Sequence, residues 1–94
     1  MLQSDNLQNK RNAAKQITRA QLSNIPVLDV VENELLTGYQ TNLSNRLQVD
    51  TMAWFCKALG ASGMNKYRVS LQKVINTTSS RKIRRYCEKS LARL

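Results

Sequence analysis

The stretch LQVDTMAWFCKALGASG, residues 47–63, carries the strongest structural pattern of the chain. At about 100° per residue, its apolar side chains fall on one arc of about 160° on a helical wheel. That arc consists of Val49, Met52, Ala53, Phe55, Cys56, Leu59 and Gly60. An arc this wide predicts a helix from Leu47 to Ala61 that is buried on more than one side. Gly60 is expected where a neighbouring backbone approaches closely, and Gly63 is expected in a left-handed turn that ends the helix.

Four more helices are predicted around this one, over residues 5–22, 26–41, 65–76 and 80–94. Three glycines and one proline in 94 residues favour helices over a many-turned β-sandwich. Asn24 is the expected N-cap before Pro26, and the polar run 77–80 supplies the cap of the last helix. Short loops predict that sequential helices are antiparallel neighbours. We therefore expect one all-α domain with a polar N-terminal helix (1–22) that frays at its start, a first hairpin (25–61) and a second hairpin (65–94).

The core of the second hairpin is predicted from the apolar arcs of its two helices. Its members are Tyr67, Leu71, Val74, Ile83, Cys87 and Leu91. Cys56 and Cys87 both fall on apolar arcs, so buried, reduced cysteines are expected. A disulfide between adjacent helices is the alternative, and export of the protein would favour it.

Composition argues against catalysis. The chain has no histidine, which excludes Ser-His-Asp, Cys-His and His-metal sites within it. Glu32 and Glu34 are two residues apart and therefore do not share a helix face. Neither a P-loop nor a dinucleotide-binding glycine motif is present. We predict a protein that is not an enzyme and that has no cofactor and no metal site.

Charge is concentrated in the second half of the chain. The net charge is +9, and residues 51–94 hold ten basic residues against Glu88 alone. We define the basic stripe as the residues that share one arc of about 120° on the last helix: Arg81, Lys82, Arg85, Lys89 and Arg93. Each like-charged i, i+4 pair costs about 0.2–0.5 kcal/mol. The stripe is thus predicted to bind an acidic partner, and a merely solvated face is the alternative.

The partner of this stripe is predicted to be an acidic protein, with nucleic acid as the alternative. A membrane is disfavoured because Tyr86 is the only aromatic residue of the last helix. A structural homodimer through an apolar end of the helical stack is the third option. Trp54 is expected to pack in the core on a second side of its helix, or to be an exposed aromatic anchor for a partner.

The N-terminal sequence is compatible with more than one cellular compartment. The N-terminus shows no signal peptide, which fits a cytoplasmic protein, but a periplasmic or exported protein whose signal peptide had been removed would look the same. No run approaches the roughly 20 apolar residues of a membrane span.

Two segments of the chain repeat with a spacing of 32 residues. Trp54-x-x-Lys57-Ala58-Leu59-Gly60 recurs as Tyr86-x-x-Lys89-Ser90-Leu91-Ala92. Together with the turn at Gly63, Tyr67 and Leu71 after it, and the basic run 81–86, these segments resemble HEAT-type α-helical repeats. The chain is similar to short HEAT-like domains of exported bacterial proteins of unknown role. The resemblance implies a short α-solenoid of stacked hairpins that serves as a scaffold for partner binding.

Overall fold

The computed structural model describes residues 6–21 and 23–94, which form five α-helices and no β-strand. The helices are α1 (Leu7–Ala20), α2 (Ile25–Gly38), α3 (Arg46–Ala61), α4 (Arg68–Thr77) and α5 (Arg81–Ala92), and a 3-10 turn (Asn65–Tyr67) leads into α4. The all-α class and the five predicted helices are confirmed. The second helix ends three residues earlier than predicted. Helix α1 ends at Ala20, before the left-handed Gln21, and so stops two residues short of the predicted end at residue 22. The expected fraying before residue 6 lies outside the described residues.

Short polar side chains start four of these helices. Asn6, Asn24, Asn45 and Ser80 each accept a hydrogen bond from a backbone N–H of the first turn that has no partner within the helix. Gly63 has a φ of 68°, so the predicted left-handed turn after α3 is confirmed. The helix boundaries are therefore set mainly by local capping.

Helix α3 is the centre of the packing. It contacts α1, α5 and α2, while α4 packs on α5. The pairs α2–α3 and α4–α5 thus meet chiefly through α3 and α5, in an arrangement consistent with a bundle or a solenoid-like stack. The largest side chains that are completely excluded from solvent come from α2, α3, α4, α5 and the 3-10 turn, and they include Tyr67, Phe55, Leu28, Leu35, Leu59, Leu71 and Ile83.

The crossing of α3 and α5 is unusually close. A Cβ atom added to Gly60 would lie 2.7 Å from Ser90 Cβ and 2.8 Å from Ser90 Cα. The predicted close approach at Gly60 is thus confirmed, and it corrects one predicted core position. Ser90 takes the buried place on α5, with 3% of its surface exposed, because only a small residue fits against Gly60. Leu91 lies about 100° further round the helix and is only half-buried.

The two cysteines form a disulfide between α3 and α5. Cys56 and Cys87 are fully buried, their Cα atoms are 5.0 Å apart, and the bond joins positions 31 residues apart. The expectation of reduced cysteines is therefore wrong. Each cysteine was correctly placed on an apolar arc, but the distance between two helices is not encoded in either arc.

Replacing Gly60 with Ala should destabilise the protein although Ala is the better helix former. The added methyl group meets backbone and Cβ atoms of Ser90 that cannot rotate away, so we expect the free energy of unfolding to fall by about 1–3 kcal/mol. Thermal unfolding of parent and variant measures this change. Asn12→Ala, at an exposed position of α1, is the control and should raise the melting temperature slightly. A Gly60→Ala variant that melts above the parent would contradict the close crossing.

Reduction of the Cys56–Cys87 bond should lower the free energy of unfolding. Chain-entropy arguments for a loop of this length give about 3–4 kcal/mol. Urea unfolding with and without reductant measures the difference, and the double variant Cys56→Ala plus Cys87→Ala should not respond to reductant. Two free thiols titrated in the unfolded, unreduced protein would show that the bond is absent.

Candidate functional site

All five residues of the basic stripe are exposed, four of them on α5 and Arg93 at its C-cap. The opposite face of this helix is buried through Ile83, Cys87 and Ser90. Successive members of the i, i+4 series lie about 6 Å apart along the helix axis. Within the described residues, Lys82 alone among the five makes an ion pair, with Nζ 3.1 Å from Asp50 Oδ1. The stripe is therefore a nearly uncompensated cationic face.

Arg84 shows what a structural arginine of the same helix does. Its guanidinium donates hydrogen bonds to the carbonyl oxygens of Ile75 at 3.3 Å and Thr78 at 2.6 Å. These carbonyls lie at the end of α4, where the helix itself provides no donor. Arg84 thus fixes α5 to α4, and its charge is used within the fold.

Trp54 is neither fully in the core nor a free anchor. It is half-buried against the core, and the ammonium groups of two lysines lie over its ring. Lys57 Nζ is 4.1 Å from the centroid of the Trp54 ring and 4.4 Å from that of Tyr86. Lys15 lies 5.3 Å from the Trp54 centroid, and Lys89 lies 5.5 Å from the Tyr86 centroid. We call these five residues the cation–aromatic ladder; it crosses α1, α3 and α5.

Sequence reasoning missed this ladder, although part of its signal was visible. The repeated i, i+3 pairs Trp54/Lys57 and Tyr86/Lys89 place a ring and an ammonium on one face of each helix. The contact of Lys57 with Tyr86 joins two helices and follows from their crossing. The ladder meets the basic stripe at Lys89, so the two form one continuous surface.

Most carboxylates of the described chain are used to join helices. Asp29 binds Lys66 and Tyr67, Glu32 accepts a hydrogen bond from Ser70, Glu34 pairs with Lys10, and Asp50 pairs with Arg11 and Lys82. Hydrogen bonds from Lys66 and then from Tyr67 hold the pKa of Asp29 below its usual range. Glu88 is exposed on the side of α5 that faces α4. Among described carboxylates, Asp50 is thus the only one that forms an ion pair with the stripe.

Two clefts open on this surface, each about 340 Å³ in volume. One lies along Arg81, Lys82, Arg85 and Tyr86. The other is bounded by α1, α3 and α5, and its lining consists of Thr18, Lys57, Tyr86, Lys89, Ser90 and Arg93. A separate, shallow groove on α4 includes Val69, which is 79% exposed, and Leu91.

Residues 6–21 and 23–94 contain no group of three or more His, Cys, Asp or Glu side chains that could hold a metal ion. No helix in the same ranges is both long and apolar enough to cross a bilayer.

Comparison of the chain with protein-family models, with curated proteins and with solved structures found no match. The resemblance to HEAT-type repeats therefore stays a proposal.

The contact of Lys57 with Tyr86 should be measurable as a coupling free energy. A double-mutant cycle with Lys57→Met, which keeps the aliphatic stem, and Tyr86→Leu should give about 0.5–1 kcal/mol. Urea unfolding of the four proteins provides the values. The cycle of Lys73→Met with Tyr86→Leu is the control and should give no coupling, because Lys73 lies on α4 away from the ladder. Equal values in both cycles would contradict a specific contact.

Proposed function

We propose that this chain is a non-catalytic, HEAT-like helical domain that binds an acidic protein through the basic stripe. The observation that carries the proposal is the exposure of five cations on one face of α5 and its C-cap, with Asp50 as their only ion-pair partner in the described chain. A surface of one sign attracts and orients a partner of the opposite sign, and it raises the association rate.

Helix stability does not account for this charge pattern. Cations are favourable near the C-terminus of a helix, which suits Lys89 and Arg93. Arg81 and Lys82, however, occupy the first turn, where the helix dipole favours acids, and that turn contains none. A helix optimised for stability alone would carry the opposite sign there. The arrangement is instead what a docking face for an acidic partner requires.

The HEAT-like assignment is supported by the packing and by the repeat. The α2–α3 and α4–α5 pairs stack through α3 and α5, whose sequences repeat with a shift of 32 residues. Repeats of this kind form extended surfaces for partner binding. The absence of histidine from the chain also supports a role in binding rather than in catalysis.

Single-stranded nucleic acid is the second candidate partner, and the cation–aromatic ladder is the observation that favours it. Proteins that bind single strands combine cationic grooves with rings on which bases stack. A protein partner is preferred because Lys57 already lies between Trp54 and Tyr86, at 4.1 and 4.4 Å from their centroids. A base could stack on those faces only after this lysine moved.

A homodimer is the third candidate, and it would use a different surface. The α4 groove with exposed Val69 and half-buried Leu91 is apolar and lies away from the stripe. Light scattering gives the molar mass directly, and a mass of 10.7 kDa at high protein concentration would eliminate this alternative.

Arg85→Glu should weaken binding to an acidic probe without loss of stability. The new carboxylate lies four residues before Lys89, in the favourable orientation for an i, i+4 pair, so the melting temperature should be unchanged or slightly higher. Fluorescence anisotropy with a labelled ten-residue oligoglutamate peptide measures affinity. We expect a loss of about tenfold or more, mainly in the association rate.

Lys73→Glu is the matched control, because it makes the same change in net charge on exposed α4. It should weaken peptide binding by less than about twofold, since Lys73 lies on α4 outside the stripe and salt screens the interaction between separate exposed charges. Equal losses in the two variants would mean that only net charge matters. Tighter binding of a single-stranded oligonucleotide with ten phosphates than of the peptide, at the same salt concentration, would favour the nucleic-acid alternative.

A further inference from the structure

We propose that the cleft between α1, α3 and α5 binds a phosphate monoester dianion, carried by a phosphorylated side chain of the protein partner. The inference rests on the proposed function in that the phosphate belongs to the acidic protein that the stripe binds. The cleft measures about 340 Å³, which admits a phosphate group and the side chain that bears it. It adjoins the basic stripe, because Lys89 and Arg93 belong to both.

Three cations and no carboxylate line this cleft. Lys57 comes from α3, and Lys89 and Arg93 come from α5. Lys57 is held between two rings, which attract its charge but leave its three N–H donors without a conventional acceptor. In the described chain its ammonium makes neither an ion pair nor a hydrogen bond. An oxyanion in the cleft would therefore meet a positioned cation whose donors are available.

Ser90 provides the second, independent observation. It is 3% exposed and lines the cleft, and its hydroxyl forms no hydrogen bond to any described residue. A serine within a helix commonly donates to the carbonyl four residues earlier, and Thr18 in the same cleft does so, to Ala14 at 2.7 Å. In the described chain, Arg11 Nε is the only fully buried side-chain nitrogen or oxygen without a hydrogen-bond partner, so the Ser90 hydroxyl is not sealed from solvent and opens on the cleft. The crossing at Gly60 requires a small residue at position 90, and alanine would also meet that requirement, so the hydroxyl is left available to a ligand.

Structural roles within the fold account for the three cations of the cleft but not for Ser90. Lys89 and Arg93 stabilise the C-terminal end of α5 through its dipole, and Lys57 stabilises the two rings. Neither effect needs a hydroxyl group at position 90. A phosphate oxygen accepts from Ser90 and is surrounded by the three cations, so one ligand accounts for all four groups.

Charge also decides which kind of phosphate fits. A phosphate monoester carries a charge near −2 above its second pKa of about 6, whereas a phosphodiester has a single ionisable oxygen and carries −1 on both sides of that pKa. Three cations with no acid in the cleft match the dianion better. A phosphorylated serine, threonine or tyrosine of a protein therefore fits the cleft better than the backbone of a nucleic acid.

The first experiment uses O-phospho-L-serine as the probe, followed by NMR titration in phosphate-free buffer at constant ionic strength. The affinity should fall several-fold from pH 7.5 to pH 5.0, as the probe loses one negative charge. The chain contains no histidine, the side chain that ordinarily changes its charge in this pH range. The ionisable groups that face the cleft are Lys57 of α3, Tyr86, Lys89 and Arg93 of α5 and its C-cap, and Lys15 of α1, which reaches the ladder through Trp54. Equal affinity at both pH values, or equal affinity for dimethyl phosphate, would overturn the proposal.

Two variants test the groups that line the cleft. Lys57→Met should lower the affinity for O-phospho-L-serine by about tenfold or more, and Ser90→Ala should lower it by about two- to tenfold. Ser90→Ala should leave the melting temperature unchanged or slightly higher, because the hydroxyl forms no hydrogen bond within the described chain and alanine is the better helix former. Lys73→Met, on α4, is the control and should bind as the parent does. A Ser90→Ala variant that binds equally well would mean that the hydroxyl has no ligand of this kind.

The last experiment separates this inference from the proposed function. Oligoglutamate peptides with and without one central phosphoserine are compared, with a 5′-phosphorylated oligonucleotide as the other source of a monoester. We expect the phosphopeptide to bind at least about fivefold more tightly than the plain peptide, with the difference abolished by Lys57→Met. If the two peptides bind equally and both depend on Arg85, the inference is wrong and the proposed function stands. If the oligonucleotide binds more tightly than the phosphopeptide, the phosphate comes from nucleic acid and both proposals are wrong.

Discussion

The close crossing of α3 and α5 is the constraint on which the rest of this structure depends. Gly60 meets Ser90 at a distance that excludes any side chain at position 60, and the Cys56–Cys87 disulfide joins the same two helices covalently. Close approach and covalent linkage act together. A chain of 94 residues buries limited apolar surface, so a cross-link adds substantially to its stability. Helices α1, α2 and α4 then pack on this central pair.

The same crossing builds the surface that we propose to be functional. Lys57 follows Cys56 in the chain, and Tyr86 precedes Cys87, so the bond between the helices also brings this ammonium to this ring. The cleft beside them is bounded by the crossing residue Ser90. Binding surface and fold are thus coupled, since anything that moved α5 relative to α3 would separate Lys57 from Tyr86.

The acidic side chains are used mainly within the fold, whereas many basic side chains remain on the outer surface of α5. Four of the described carboxylates join helices through lysine, arginine or hydroxyl partners, which leaves the outer face of α5 almost without acids. Exposed ion pairs contribute little to stability individually, about 0–1 kcal/mol each. The division therefore has its larger effect on the electrostatic field, which is positive on the side of the stripe and suited to an acidic partner.

The sequence by itself determined the helices, the caps at Asn24 and in the run 77–80, the left-handed turn at Gly63, the close approach at Gly60 and the outward direction of the basic stripe. These features depend on the helical period and on contacts between residues a few positions apart. The tertiary structure alone decided the disulfide, the burial of Ser90 in place of Leu91 and the cation–aromatic ladder. These depend on the rotation and distance of α5 relative to α3, and a periodic pattern specifies which face of a helix is buried but not which residue of another helix it meets.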